Sequence, residues 1–209
     1  MQRLRTTFLN LCTGYLKPTA GTITLAGRDI AGLTPRVITR RGIARAFQIP
    51  QLFAEHSLIE NVMLAVAAER GFWHPLRALD RAEHREPAER LLDLVALAPH
   101  AERPVTELPE GTRKLADIAL ALALRPKLLL LDEPTSGVSS AEKFPLMETL
   151  AAALRAEHVT SVFVEHDMDV VRGYADRVLV WDQGKVMAEG APATVLSDPR
   201  VLQNVVGVA

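Results

Sequence analysis

The chain has a single cysteine, Cys12, so no internal disulfide framework can staple it, and a lone thiol suits a reducing compartment. It has no excess charge of either sign. With 24 basic against 25 acidic residues the formal net charge is -1, so there is no basic surface field and nucleic acid is not implied as a partner. Apolar runs of membrane-spanning length are also missing: the longest candidates, residues 118–124 and 128–131, are split by Arg125-Pro126-Lys127. The opening Met1-Gln2-Arg3-Leu4-Arg5 is basic but lacks the apolar core and small-residue cleavage site of a secretion signal. There is no internal repeat, no low-complexity tract and no glycine before Gly14. What remains is a cytoplasmic globular chain of 209 residues, long enough to bury a core as one domain with room for a subdomain.

What the chain does have is organised around Leu128-Leu129-Leu130-Leu131-Asp132-Glu133-Pro134-Thr135-Ser136-Gly137. Four leucines in a row suit a buried parallel strand, which is apolar on both faces because helices cover both. Ligand chemistry in open parallel sheets sits at the carboxyl ends of the strands, where the Asp132-Glu133 pair appears. A strand-end Asp suits Mg²⁺, a hard cation that wants oxygen ligands, and an adjacent Glu can orient or deprotonate an attacking water. A bare apolar-Asp-Glu pattern also describes a strand emerging into an acidic turn; the full ten-residue string is far more specific. It resembles the Walker B strand, with its catalytic Glu, of the ATP-binding cassette (ABC) family.

That resemblance implies an α/β fold: a P-loop NTPase-type ABC core, a mostly parallel sheet flanked by helices, with an inserted α-helical subdomain and an amino-terminal truncation. Residues 1–50 and 116–209 would form the ATPase core and residues 51–115 the helical subdomain that carries the signature. At the amino end, residues 6–15 read as a helix ending at the C-cap Gly14, followed by a Pro18–Gly21 turn and a short alternating strand over residues 22–27. In the family this order directly follows a glycine-rich phosphate loop, Gly-x-x-x-x-Gly-Lys-Thr-Thr. Here Arg5 stands at the lysine position and the glycines are absent. Arg is forked and larger than Lys, and is not equivalent as a phosphate-binding point charge. Thr6 and Thr7 match the hydroxyls that contact Mg²⁺ and phosphate, although the same residues commonly cap helices. The expectation is a truncated gene product rather than a cassette that has lost ATP binding at its own site.

In the middle of the chain a short strand ending at Gln48, followed by Ile49-Pro50-Gln51-Leu52-Phe53, matches the Q-loop. Its amide oxygen can ligand Mg²⁺ while the NH₂ touches water. A helix begins at Leu58. Residues 71–79 form a polar span with Trp73 and Phe72, a candidate docking patch read more simply as subdomain core. A long amphipathic helix is predicted over residues 81–97. His74, His84 and His100 lack metal-ligand spacing and are read as surface residues. Leu108-Pro109-Glu110-Gly111-Thr112 holds the place of the signature Leu-Ser-Gly-Gly-Gln. Helix N-termini bind anions, so Gly111 and its helix would face the γ-phosphate held by an opposite subunit. Pro109 replaces the serine and Glu110 adds negative charge, a divergence shared in kind with cassettes of branched-chain amino acid importers.

After Walker B, Ser136-Gly137-Val138-Ser139 matches the D-loop but for its carboxylate, and a helix is predicted over residues 142–157 with Pro145 in its first turn. A β-branched strand from Thr160 leads to Glu165-His166-Asp167, where His166 matches the switch histidine that contacts the γ-phosphate. Residues 175–190 read as a hairpin turning at Gln183-Gly184, and short helices close the chain. The resemblance covers the whole chain and is greatest to ATP-binding subunits of branched-chain amino acid importers. It implies ATP and Mg²⁺ as cofactors, Glu133 as base with His166 as sensor, Asp132, Gln48 and Thr6 as metal ligands, and Thr6, Thr7, Gln48, Gly111 and Asp132 as nucleotide contacts. Its implied partners are integral-membrane permease subunits, a second ATP-binding subunit and, indirectly, a periplasmic or extracellular substrate-binding protein. The chain would sit on the inner face of the membrane through the permease. The competing expectation is a non-hydrolysing cassette that serves as an interaction or regulatory subunit.

Overall fold

The Leu-rich run does form the middle of a parallel sheet. The computed structural model describes residues 2–71 and 82–203, which divide into two units, Met1–Val164 and Glu165–Ala209. The first unit opens with α1 (Gln2–Cys12), which begins four residues before the predicted Thr6. Gln, Arg and Leu at those positions are straight-chain residues that lose little rotamer freedom in a helix. The exit from α1 needs Gly14: its φ is +77°, and a Cβ there would stand 2.4 Å from the Leu33 carbonyl oxygen.

The strand predicted over residues 22–27 is cut short by a hairpin. β1 (Thr24–Leu25) turns through Ala26 and Gly27, with φ of 48° and 76°, into β2 (Arg28–Asp29). Next, α2 (Pro35–Arg40) starts with a proline in its first turn, where the missing N–H costs nothing. β3 (Ile43–Ala46) stops two residues short of the predicted Gln48 because the Phe47 amide leaves the ladder and donates to the Asp117 carboxylate at 2.8 Å. α3 (Leu58–Glu69) is started by a capping box between Ser57 and Glu60.

α4 (Ala82–Leu94) ends three residues before the predicted Leu97, where the left-handed Ala96 (φ 57°) breaks the run. Phe72, Trp73, His74 and Arg81 lie outside the described residues. His84, read from sequence as a surface residue, is buried, because α4 turns it inward with Leu91 and Ala88. α5 (Glu110–Ala123) packs with α3 and α4, all three lying between β3 and β4 in the chain. β4 (Leu128–Asp132) then pairs in parallel with β3 and with β5 (Thr160–Val164), giving the order β3-β4-β5. Between them α6 (Ser140–Ala156) starts earlier than predicted, which moves Pro145 from the first turn into the helix interior.

Leu129, Leu130 and Leu131 are almost wholly buried, as a strand covered on both faces requires. Leu9 of α1, Ile38 of α2, Ile43 of β3 and Leu130 of β4 form one apolar cluster, with Cys12 packed at its margin, where burial raises the thiol pKa. The second unit holds α7 (Met168–Tyr174), capped by the Asp167 carboxylate, and the hairpin of β6 (Val178–Asp182) and β7 (Lys185–Gly190). That hairpin turns at Gln183-Gly184 as predicted, with φ of 47° and 81°. α8 (Pro192–Val195) and α9 (Pro199–Val201) follow, and Val180, Val195 and Val201 form the unit's own small core. No helix among the described residues is long and apolar enough to cross a membrane.

Leu130→Ala should destabilise the chain by about 3 kcal/mol, the usual cost of emptying a rigid core position. Urea unfolding of parent and variant measures it, and a loss below about 1 kcal/mol would show that the sheet does not depend on this cluster.

Candidate active site

Parallel pairing of Ala46 with Leu131 makes β3 and β4 end on the same side of the sheet, so Phe47-Gln48 and Asp132-Glu133 emerge together. Gln48 Nε2 donates to Glu133 Oε2 at 3.1 Å. Gln48 is exposed while Glu133 is buried, so the pair spans the boundary between solvent and core. Glu133 has φ +49°, a left-handed conformation that costs a side-chain-bearing residue on the order of 1 kcal/mol or more. Its backbone is pinned on several sides: its N–H donates to the Val164 carbonyl at 3.0 Å, and its carbonyl accepts from Ser136 N–H at 3.1 Å and from Lys114 Nζ at 3.2 Å. The strain is held at the carboxylate next to the end of β4.

Asp132 is also buried, and its Oδ2 lies 2.6 Å from Arg45 Nη2. Arg45 Nη1 reaches Asn10 Oδ1 on α1 at 2.7 Å. From the other side α5 presents two buried charges, Lys114 and Asp117. Lys114 Nζ donates to the carbonyl of Gln48 at 3.2 Å as well as to that of Glu133. Asp117 accepts the backbone N–H groups of Phe47 at 2.8 Å and Gln51 at 3.1 Å, and so fixes both sides of Gln48. A cavity of about 10 Å³ beside Phe47, Lys114, Asp117, Asp132 and Pro134 has room for about one water. Burial raises the Asp117 carboxyl to about 6, against the two backbone donors and the Lys114 charge, which favour the ionised form.

The sequence profile described as ABC transporter matches residues 5–136. The chain belongs to the ABC transporter family. It is 35% identical, over 98% of its own length and 83% of the relative's, to the high-affinity branched-chain amino acid transport ATP-binding protein LivG of Salmonella typhimurium. BraF of Pseudomonas aeruginosa, which carries the same description, gives the same identity and shares. Among solved structures, MJ1267, an ATP-binding cassette of an ABC transporter, matches with a TM-score of 0.83 at 28% identity, covering 98% of this chain and 83% of that one. The cbiO1 protein from Clostridium perfringens, part of the ABC transporter complex cbiONQ, matches with a TM-score of 0.80 at 27% identity over 96% and 78%.

Within the ABC chain, the structure brings Gln48, Asp132 and Glu133 together at neighbouring strand ends. Gly111 lies in the first turn of α5, where a Cβ would sit 3.7 Å from Val138 and 3.8 Å from Leu146, so a methyl group fits there. Pro109 precedes it as an N-cap without a side-chain cap bond, and Glu110 is paired with Arg113 at 2.7 Å. Thr6 and Thr7 lie in α1; Thr7 is half-buried and the Thr6 side chain lies outside what is described. His166 belongs to the second unit, where its side chain is exposed and Nδ1 lies 3.9 Å from Glu165 Oε2. Among the described residues no three His, Cys, Asp or Glu side chains gather into a metal cage. The carboxylate of Asp132 and the amide oxygen of Gln48 are donors of the type Mg²⁺ accepts when water and phosphate complete its shell.

Sequence reasoning passed over Arg45, Lys114 and Asp117. The signal was there: a lone Arg inside Ile-Ala-Arg-Ala, and a Lys and an Asp three apart on an otherwise apolar helix face.

An acid whose folded pKa exceeds its unfolded value takes up a proton on folding between the two. Stability from Asp117 is therefore highest below its ordinary value of 3.8 and is lost as pH rises through about 6. Across that window the parent should lose on the order of 3 kcal/mol relative to Asp117→Asn. Thermal melts of both chains at pH 4 and pH 7 read the difference, and a pH-independent gap would contradict it.

Proposed function

We propose that this chain is the ATP-binding and ATP-hydrolysing subunit of an ABC importer that carries branched-chain amino acids. The observation that carries the reading is the Gln48–Glu133 contact at 3.1 Å, formed where two paired strands end beside Asp132. The resemblance to LivG and BraF over nearly the whole chain supports the substrate class. We read residues 1–50 and 116–209 as the ATPase core and residues 51–115 as the helical subdomain that carries the signature.

In this reading Glu133 accepts the proton of the attacking water, and Gln48 orients its carboxylate by donating to Oε2. Asp132, Gln48 and Thr6 would hold Mg²⁺, which would supply the positive charge that phosphoryl transfer needs. Thr7 touches phosphate, and His166 contacts the γ-phosphate. Gly111, with the N-terminus of α5, faces the nucleotide of a second ATP-binding subunit. Such a reaction needs positioning and charge more than covalent chemistry, which suits a site built from strand ends held by a buried ion pair and by hydrogen bonds from buried charges. The permease partner meets the exposed Ile49 and Phe53 that follow Gln48, and a separate substrate-binding protein delivers the amino acid to it.

Encoding Glu133→Gln in the gene and purifying the transporter assembly from its own cell tests the proposal. Phosphate release stimulated by leucine, isoleucine or valine should fall by about 100-fold or more, with ATP still bound. Hydrolysis at the parental rate would refute the role of Glu133, and indifference to all three amino acids would refute the substrate class.

A further inference from the structure

The charge that sequence reasoning passed over carries the inference. Arg45 is the one charged residue of β3, and its side chain is 7% exposed, so it needs buried partners. It has three: Asp132 Oδ2 at 2.6 Å from Nη2, Asn10 Oδ1 at 2.7 Å from Nη1, and the Phe47 ring, whose centroid lies 4.9 Å from Cζ. Its Nε is buried and has no hydrogen-bond partner among the described residues. That detail decides what kind of pair this is. A permanent Arg–carboxylate strut uses the fork, with two parallel N–H donors on the two oxygens. Here one arm touches Asp132, the neighbouring Nε–H goes unused, and the far arm is anchored separately on α1. The guanidinium can release the carboxylate and keep both Asn10 and Phe47.

We propose that Arg45 is a positioning residue that serves as the resident counter-ion of Asp132, and that a divalent cation takes this carboxylate by exchange with it. The proposal rests on the reading of Asp132 as a cation ligand. A buried carboxylate without a partner is costly, so a site that must exist both with and without its cation needs a stand-in charge. Arg45 supplies that charge from the adjacent strand and aims Oδ2 while it does so. The exchange sets the cation affinity lower than Asp132 alone would give.

The test is binding of Mn²⁺ alone, read from the electron paramagnetic resonance signal of free Mn²⁺, by the parent chain and by Arg45→Gln, Arg45→Lys and Asp132→Asn. Arg45→Gln should bind about ten-fold more tightly than the parent, and Arg45→Lys, which keeps the charge but loses the fork, should gain less. Equal or weaker binding by Arg45→Gln overturns the exchange. Parent and Asp132→Asn binding alike, or neither binding at all, refutes Asp132 as the ligand and the proposal with it. Nitrogen-15 spectra of arginine-labelled parent chain keep the test independent of how well Arg45→Gln folds, with Arg45 assigned by its loss in Arg45→Lys. Mg²⁺ should move the Arg45 Nη2 resonance in the parent and leave it in place in Asp132→Asn; an unmoved resonance in the parent overturns the proposal.

Discussion

One buried ammonium joins the parts of this site. Lys114 Nζ donates to the backbone carbonyls of Gln48 and Glu133, at 3.2 Å each, and so ties the ends of β3 and β4 to a single point on α5. Three residues further along the same helix face, Asp117 takes the amides of Phe47 and Gln51. Gln48 is thereby held by its own carbonyl and by the amides on either side of it, and its side chain is aimed at Glu133. α5 therefore sets the distance between the Gln48 amide and the proposed base.

The strain at Glu133 is intelligible in that frame. A left-handed non-glycine residue persists only when its surroundings over-determine it, and here β5, the turn at Ser136 and Lys114 all hold its peptide groups. Each buried charge in the cluster also has its compensator: Asp132 has Arg45, Asp117 has Lys114, and Glu133 has the Gln48 amide. Such a network is worth more intact than its pairs suggest, and the loss of one member leaves its partner desolvated. The apolar sheet beneath, with Leu129 to Leu131 buried, keeps water from relaxing it.

Much of this was legible in the sequence, for local reasons. The leucine run marked β4, the Gln183-Gly184 turn marked the hairpin, and the Ala- and Leu-rich stretch marked α5. Motif and position single out Gln48, Asp132 and Glu133, which the structure brings to neighbouring strand ends. The reading failed where tertiary contacts overrule local pattern. β3 ends early because an aspartate 70 residues away takes its next amide, and His84 is buried by the packing of α4. Arg45 finds its partner 87 residues along the chain, a distance across which no periodicity carries information. The lone charge in an apolar strand announced that a partner existed, but only the register of β3 against β4 says which.

Amide hydrogen exchange in a Lys114→Met variant tests most directly the claim that α5 holds the site together. Methionine keeps much of the side-chain bulk and removes the ammonium. The account predicts that the amides of Phe47, Gln51 and Ser136 exchange at least about ten-fold faster than in the parent, while Leu129 to Leu131 in β4 keep their protection. Parental exchange rates at those three amides would contradict it, and would mean that the ends of the strands hold Gln48 and Glu133 in place without the helix.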